Sequence, residues 1–151
     1  MRSQPLVPDT FVVPASLVTT RFCLEPLSIG HNMADHTAWT TSLQHIQQTP
    51  GFAGRSWPAA PETLTVNGEH LAKHQRDSTD RTGFTYAALD ADTGDYIGCV
   101  YFYPPRSAEF DVDVRSWVRV EQADLDALLY DAVRTWLQHA WPWTTPDYAR
   151  R

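Results

Sequence analysis

The stretch from Glu109 to Arg119 concentrates the side chains best suited to acid–base chemistry. In an extended strand alternate residues share a face. Glu109, Asp111, Asp113, Arg115, Trp117 and Arg119 therefore lie together, opposite Phe110, Val112, Val114, Ser116 and Val118. Burying such a charged face is costly unless the charges are paired. It is expected either to line an open cleft or to form a solvated edge strand with cross-strand Arg–Asp pairs. In a cleft, crowded carboxylates suit proton transfer, because like charges make one of them hold its proton.

Three other groups carry potential chemistry. His70 and His74 stand four apart and share a face of any helix that holds them, beside Lys73 and Asp77. That spacing suits zinc, but no third ligand motif accompanies it, so no metal is expected. Tyr86, Tyr101, Tyr103 and Trp57 can wall a pocket for an apolar or aromatic ligand, or serve as ordinary core. Cys23 and Cys99, the only cysteines, fall in strand-like stretches and read as free thiols of a reducing compartment, which places the chain in the cytoplasm.

The elements that position these residues follow from periodicity. Residues 1–18 carry Pro5, Pro8 and Pro14 and read as an extended arm; residues 19–151 read as one domain. A strand is expected over 20–26, a helix over 32–48 and a second over 62–81. Strands follow over 84–89 and 96–103, joined by an Asp90–Asp95 turn, and over 110–120. Leu125, Leu128, Leu129, Ala132, Val133, Trp136, Leu137 and Ala140 then mark an amphipathic helix. The order is β-α-α-β-β-β-α with a short tail that can add a strand: an α/β (α+β) sandwich with a mainly antiparallel sheet flanked by helices. At 151 residues, 42% hydrophobic and 20% charged, the chain can bury a core and is not disordered.

Net charge is −6, and the basic residues are eleven Arg and Lys73, scattered along the chain. No basic face for nucleic acid is expected, nor any membrane span, since apolar runs are short. Met1 to Pro14 lacks the long apolar run of a secretory leader. Trp136, Trp141 and Trp143 are expected in the core, with a homodimer seal as the other reading.

The element order, the opening Thr20-Arg-Phe-Cys-Leu-Glu-Pro-Leu27, Gly83-Phe-Thr-Tyr and Ile97-Gly-Cys-Val-Tyr-Phe102 together resemble the GNAT superfamily of acyl-CoA-dependent N-acyltransferases. The resemblance implies a sheet splayed at the 110–120 strand. There the backbone of Trp117, Val118 and Arg119 would hold the pantetheine arm and thioester carbonyl of acetyl-CoA or another acyl-CoA. It implies that Gln122-Ala-Asp-Leu-Asp-Ala127 stands where the family carries Gln/Arg-x-x-Gly-x-Gly/Ala, with Gln122 and Ala127 matching and Leu125 at the middle glycine. It further implies Asp111 or Asp113 as the base for a small-molecule amine, with His70 and His74 at the substrate mouth. Past Trp141 the sequence has room for a strand but not for the family's late helix with its tyrosine acid.

Two other functions fit the same residues. The scaffold can dispense with CoA and use Glu109, Asp111, Asp113 and Arg115 for a cyclisation, isomerisation or elimination. It can also be a non-catalytic binding module that uses its Trp-rich tail.

Overall fold

The computed structural model describes residues 5–151. Six strands form one sheet in sequential order: β1 (Leu17–Val18), β2 (Phe22–Pro26), β3 (Phe84–Asp90), β4 (Tyr96–Tyr103), β5 (Val112–Val118) and β6 (Pro146–Tyr148). Neighbours are antiparallel except β5 and β6, which run parallel. The helices are α1 (Asn32–Thr40), α2 (Leu43–Gln48), α3 (Leu64–Thr79) and α4 (Asp126–Ala140), with 3₁₀ turns at Ile29–His31 and Val120–Leu125. The expected α+β order and the strand-forming tail are both present. No helix among the described residues is long and apolar enough to cross a membrane.

The sheet is covered on both sides, which explains the near-continuous apolar run of β4. On one face Phe22, Leu24, Tyr86, Phe102, Val112, Val114 and Val118 pack against Leu129, Val133, Trp136 and Leu137 of α4. On the other, Tyr96, Cys99, Tyr101 and Trp117 pack against Ala38 and Trp39 of α1, Ile46 of α2 and Leu71 of α3. Gly98 lies where β4 and β5 come closest: a Cβ there would stand 1.9 Å from the Trp117 carbonyl oxygen. Only glycine permits that approach.

The expected helix over 32–48 is two helices. Thr40 and Thr41 turn their hydroxyls back onto the carbonyls of His36 and Thr37, which weakens a continuing helix. Ser42 leaves helical geometry (φ −120°) and accepts the Val120 amide at 2.9 Å, tying the break to the end of β5. The second helix begins later than expected because Thr63 caps it, accepting from the Val66 amide.

Residues 5–18 of the expected arm lie against the core; residues 1–4 lie outside the described part. Val7 is buried, the Leu6 amide donates to the Arg81 carbonyl, and β1 pairs with β2. Trp141 and Trp143 stack at 4.7 Å and, with Trp136, are buried within their own chain. As folded they present no tryptophan face for a dimer seal.

Candidate functional site

α1, α3, β4 and β5 enclose a cavity of about 410 Å³. Leu27, Leu71, Trp57 and Tyr101 give it apolar walls, and Asp35, Asn67, His70, Lys73, His74 and Arg115 give it polar ones. Trp57 sits in an aromatic cage, its ring 5.3 Å from Trp39 and 6.3 Å from Tyr101. Tyr101 is fixed from behind by the Trp117 indole, which donates to its hydroxyl at 2.9 Å.

One wall is a buried hydrogen-bonded network. Tyr96 donates to Asp35 Oδ1 at 2.6 Å and Asn67 donates to Asp35 Oδ2 at 3.0 Å. The Trp39 indole donates to Asn67 Oδ1 at 2.9 Å. These bonds pin α1, α3 and β4 together. Burial raises the Asp35 pKa, against the pull of the Tyr96 and Asn67 donors.

His74 stands at the second polar wall. Its hydrogen bonds all fall on Nδ1, 2.7 Å from the Tyr103 hydroxyl and 3.1 Å from Thr85 Oγ1. Tyr103 has one hydrogen, and the acceptor-only carboxylate of Asp77 takes it at 2.7 Å. Counting hydrogens therefore assigns the ring hydrogen to Nδ1 and leaves Nε2 as an acceptor with no partner among the described residues. Burial first, and Lys73 second, depress the His74 pKa to about 4. The ring is neutral at pH 7 and can accept a hydrogen bond from a ligand N–H.

The charged strand face is divided by the structure. Asp113 and Arg115 are on the cavity side of β5. Asp113 is buried and accepts from Arg55 at 2.8 Å, with Arg115 Nε 3.5 Å from its other oxygen. It is thus a counter-ion engaged on both oxygens, placed behind the cavity wall. Asp111 precedes β5 and caps the tail instead, accepting from the Thr144 and Thr145 amides at 2.7 and 3.1 Å. Glu109 is exposed in the preceding loop and accepts from Ser107. Asp111 and Glu109 therefore do not share the cleft with Asp113. The alternation was read correctly over Val112–Val118, but the strand begins only at Val112.

Trp57, His70, His74 and Tyr101 line the cavity. Tyr103 stands behind His74 as its partner. Tyr86 lies on the opposite face of the sheet, with its hydroxyl donated to the Pro14 carbonyl. His70 pairs with Glu62 at 3.5 Å while His74 holds Tyr103, so the two histidines do not converge. Burial pushes the Cys99 thiol up, which keeps it protonated and rules it out as a nucleophile. Sequence reasoning passed over Asp35, Asn67, Arg55 and Arg151. Asp35 was legible in one respect: it precedes Ala38 and Trp39 by three and four residues, which puts it on the buried face of α1.

The parallel β5–β6 pair joins Val112–Val114 to Pro146–Tyr148 and goes no further. Beyond it β5 continues without a strand partner on that side among the described residues. Arg119 donates to the Ile97 carbonyl at 2.8 Å, so by antiparallel alternation Arg119 and Trp117 spend their backbone groups on β4. The backbone of Ser116 and Val118 faces the gap. Arg151 spans it: one Nη donates to the Ser116 carbonyl at 2.7 Å, and Nε lies 2.6 Å from Asp126 Oδ2. Three amides leading into α4 are already bonded: Val120 donates to Ser42 Oγ, Gln122 to the Arg119 carbonyl and Asp126 to the Ala123 carbonyl. Gln122 departs from helical geometry (φ −122°), Leu125 is buried in the core, and Ala127 is exposed.

No family model matches the chain, and no curated protein sequence matches it significantly. Solved structures do. The ribosomal-protein-S5-alanine acetyltransferase from Vibrio fischeri aligns with TM-score 0.59 at 11% identity over 82% of this chain and 67% of that one. RimL, a ribosomal L7/L12 α-N-protein acetyltransferase in complex with CoA, aligns with TM-score 0.64 at 14% identity over 83% and 69%. MccE, the microcin C7 self-immunity acetyltransferase in complex with acetyl-CoA and AMP, aligns with TM-score 0.65 at 11% identity over 86% and 68%. The chain therefore shares the fold of these acetyltransferases, the GNAT fold.

Proposed function

We propose that the chain is an N-acyltransferase that moves an acyl group from an acyl-CoA to the amine of a small molecule held in the cavity. One observation carries the reading. Arg115, whose side chain lines the cavity, and Ser116, whose backbone opens on the β5–β6 gap, are consecutive residues of β5. The gap and the cavity thus adjoin at neighbouring residues of one strand.

The residues fit the pantetheine arm of such a cofactor. Ser116 and Val118 offer strand-edge backbone in the gap to an amide-bearing chain, once Arg151 gives up the Ser116 carbonyl. They do not fit the diphosphate in the same way, because the Val120, Gln122 and Asp126 amides are bonded within the chain and Glu121, Asp124 and Asp126 lie there. When bound, the cofactor supplies an activated thioester. The chain's own part is to hold and orient the amine: His74 Nε2 accepts a hydrogen bond from its N–H, and Trp57, Tyr101 and Leu71 exclude water around it.

Calorimetric titration with acetyl-CoA, paired with thermal unfolding in its presence, tests the proposal. Saturable heat and a raised midpoint are expected, followed by thiol release when a panel of small amines is added. Absence of both heat and midpoint shift sinks it. The same absence would favour a second reading, in which the cavity performs CoA-independent acid–base chemistry. That reading is supported by the Arg151 bridge across the gap and by the carboxylates at the start of α4.

A further inference from the structure

Arg115 lines the cavity with an unspent hydrogen-bonding fork. Its guanidinium sits against two aromatic rings, 5.4 Å from the centre of Tyr101 and 5.5 Å from that of Phe52. Such contacts hold a guanidinium in place without using its N–H groups. None of its donors forms a hydrogen bond to a described residue, and its Nε is buried without one. Arg115 is half-buried, with 20% of its side chain exposed, so its buried Nε and its free Nη groups leave donors for a partner.

The charges around it are unbalanced. Asp113 serves two guanidiniums, Arg55 at 2.8 Å and Arg115 at 3.5 Å, so one positive charge has no counter-charge. Arg106 adds to the same sign. The other acid lining the cavity, Asp35, has both oxygens engaged by Tyr96 and Asn67. An anion entering the cavity would supply the missing negative charge. A carboxylate matches the planar fork of a guanidinium in both geometry and charge.

We propose that Arg115 seats a carboxylate of the acceptor molecule, so that the acceptor is amino-acid-like: an amine and a carboxylate joined by an apolar or aromatic body. This rests on the acyltransferase reading for the amine and on the cavity alone for the carboxylate. The apolar body lies against Trp57, Tyr101 and Leu71, and the amine reaches toward His74.

The probe is benzoate, with benzamide as its neutral counterpart, titrated into the whole protein while the tryptophan indole resonances are followed by NMR. Benzoate is expected to shift the indole signals saturably and to bind about tenfold tighter than benzamide, as a charge-assisted fork should. Arg115→Gln is expected to bring benzoate down to the benzamide level, and Arg115→Lys to keep part of the difference. Equal affinity for the two probes in the wild type, or no saturable shift, overturns the proposal without need of any variant. Benzoate affinity unchanged in a folded Arg115→Gln protein also overturns it. Inorganic phosphate binding more tightly than benzoate overturns the carboxylate assignment. No acyl-CoA is present in these titrations. Failure to bind acetyl-CoA would therefore end the transferase reading while leaving the anion seat, and equal probe affinities would do the reverse.

Discussion

One Nη of Arg151 lies 2.7 Å from the Ser116 backbone oxygen, at the position a neighbouring strand's amide would otherwise take. The same guanidinium neutralises Asp126 in the first turn of α4. One side chain thus closes the gap between β5 and β6 and ties it to the helix beyond.

If an acyl-CoA arm enters that gap, Arg151 competes with it. Arg151→Ala is expected to bind acetyl-CoA about tenfold tighter than the wild type, since the open form no longer has to be won from the closed one. The same variant is expected to lose about 3 kcal/mol of stability, because Asp126 is left largely buried and without its partner. Calorimetry and urea unfolding measure the two effects separately. Unchanged or weaker acetyl-CoA binding would show that Arg151 does not guard the site.

His74 makes stability depend on pH. Its pKa is depressed from 6.5 to about 4 in the folded protein, so between those values the unfolded chain binds the extra proton. Its contribution is complete above pH 6.5 and is lost as the pH falls toward 4. Over that window it amounts to about 3 kcal/mol, at 1.36 kcal/mol per unit. His74→Gln has no such group. The difference between the two proteins in urea unfolding is expected to change by that amount between pH 7 and pH 4, in favour of the variant at low pH. A constant difference would contradict the burial of the ring.

Tyr96→Phe removes one of the two donors to Asp35. A buried carboxylate that loses a donor costs about 2 kcal/mol. The loss is expected to be larger at pH 7 than in acid, because a protonated Asp35 depends less on the donor. Chemical unfolding at two pH values reads this, and a pH-independent loss would show that Asp35 is not ionised at neutrality.

Gly98→Ala tests the close approach of β4 to β5. The added Cβ would meet the Trp117 carbonyl oxygen at 1.9 Å, so the strands must part. A loss of about 3 kcal/mol is expected, and since the two strands also carry Tyr101 and Arg115, weaker ligand binding in the cavity should accompany it. A variant as stable as the wild type would place β4 farther from β5 than described.

Much of the fold was legible because its signals are local. The two-residue alternation of Val112, Val114, Ser116 and Val118 and the helical spacing of Leu129, Val133, Trp136 and Leu137 name their own buried faces. The break at Ser42 was not legible: the bond that stabilises it comes from Val120, 78 residues away. Asp111 was misplaced for a related reason, since periodicity cannot say where a strand starts, and the Thr144 and Thr145 amides decide that here.

The sequence alone determined the order of elements, the two-sided burial of the central strands and the resemblance to acyltransferases. The first two follow from side-chain period along short segments, and the resemblance rests on that order together with the motifs at Thr20–Leu27, Gly83–Tyr86 and Ile97–Phe102. Tertiary structure decided which charges meet. Arg55 comes to Asp113 across 58 residues, Arg151 to Ser116 across 35, and Asn67 to Asp35 across 32. Such pairings depend on how separate elements dock, and no local pattern records the docking. The site is therefore made of residues whose types were visible from the start and whose roles were not.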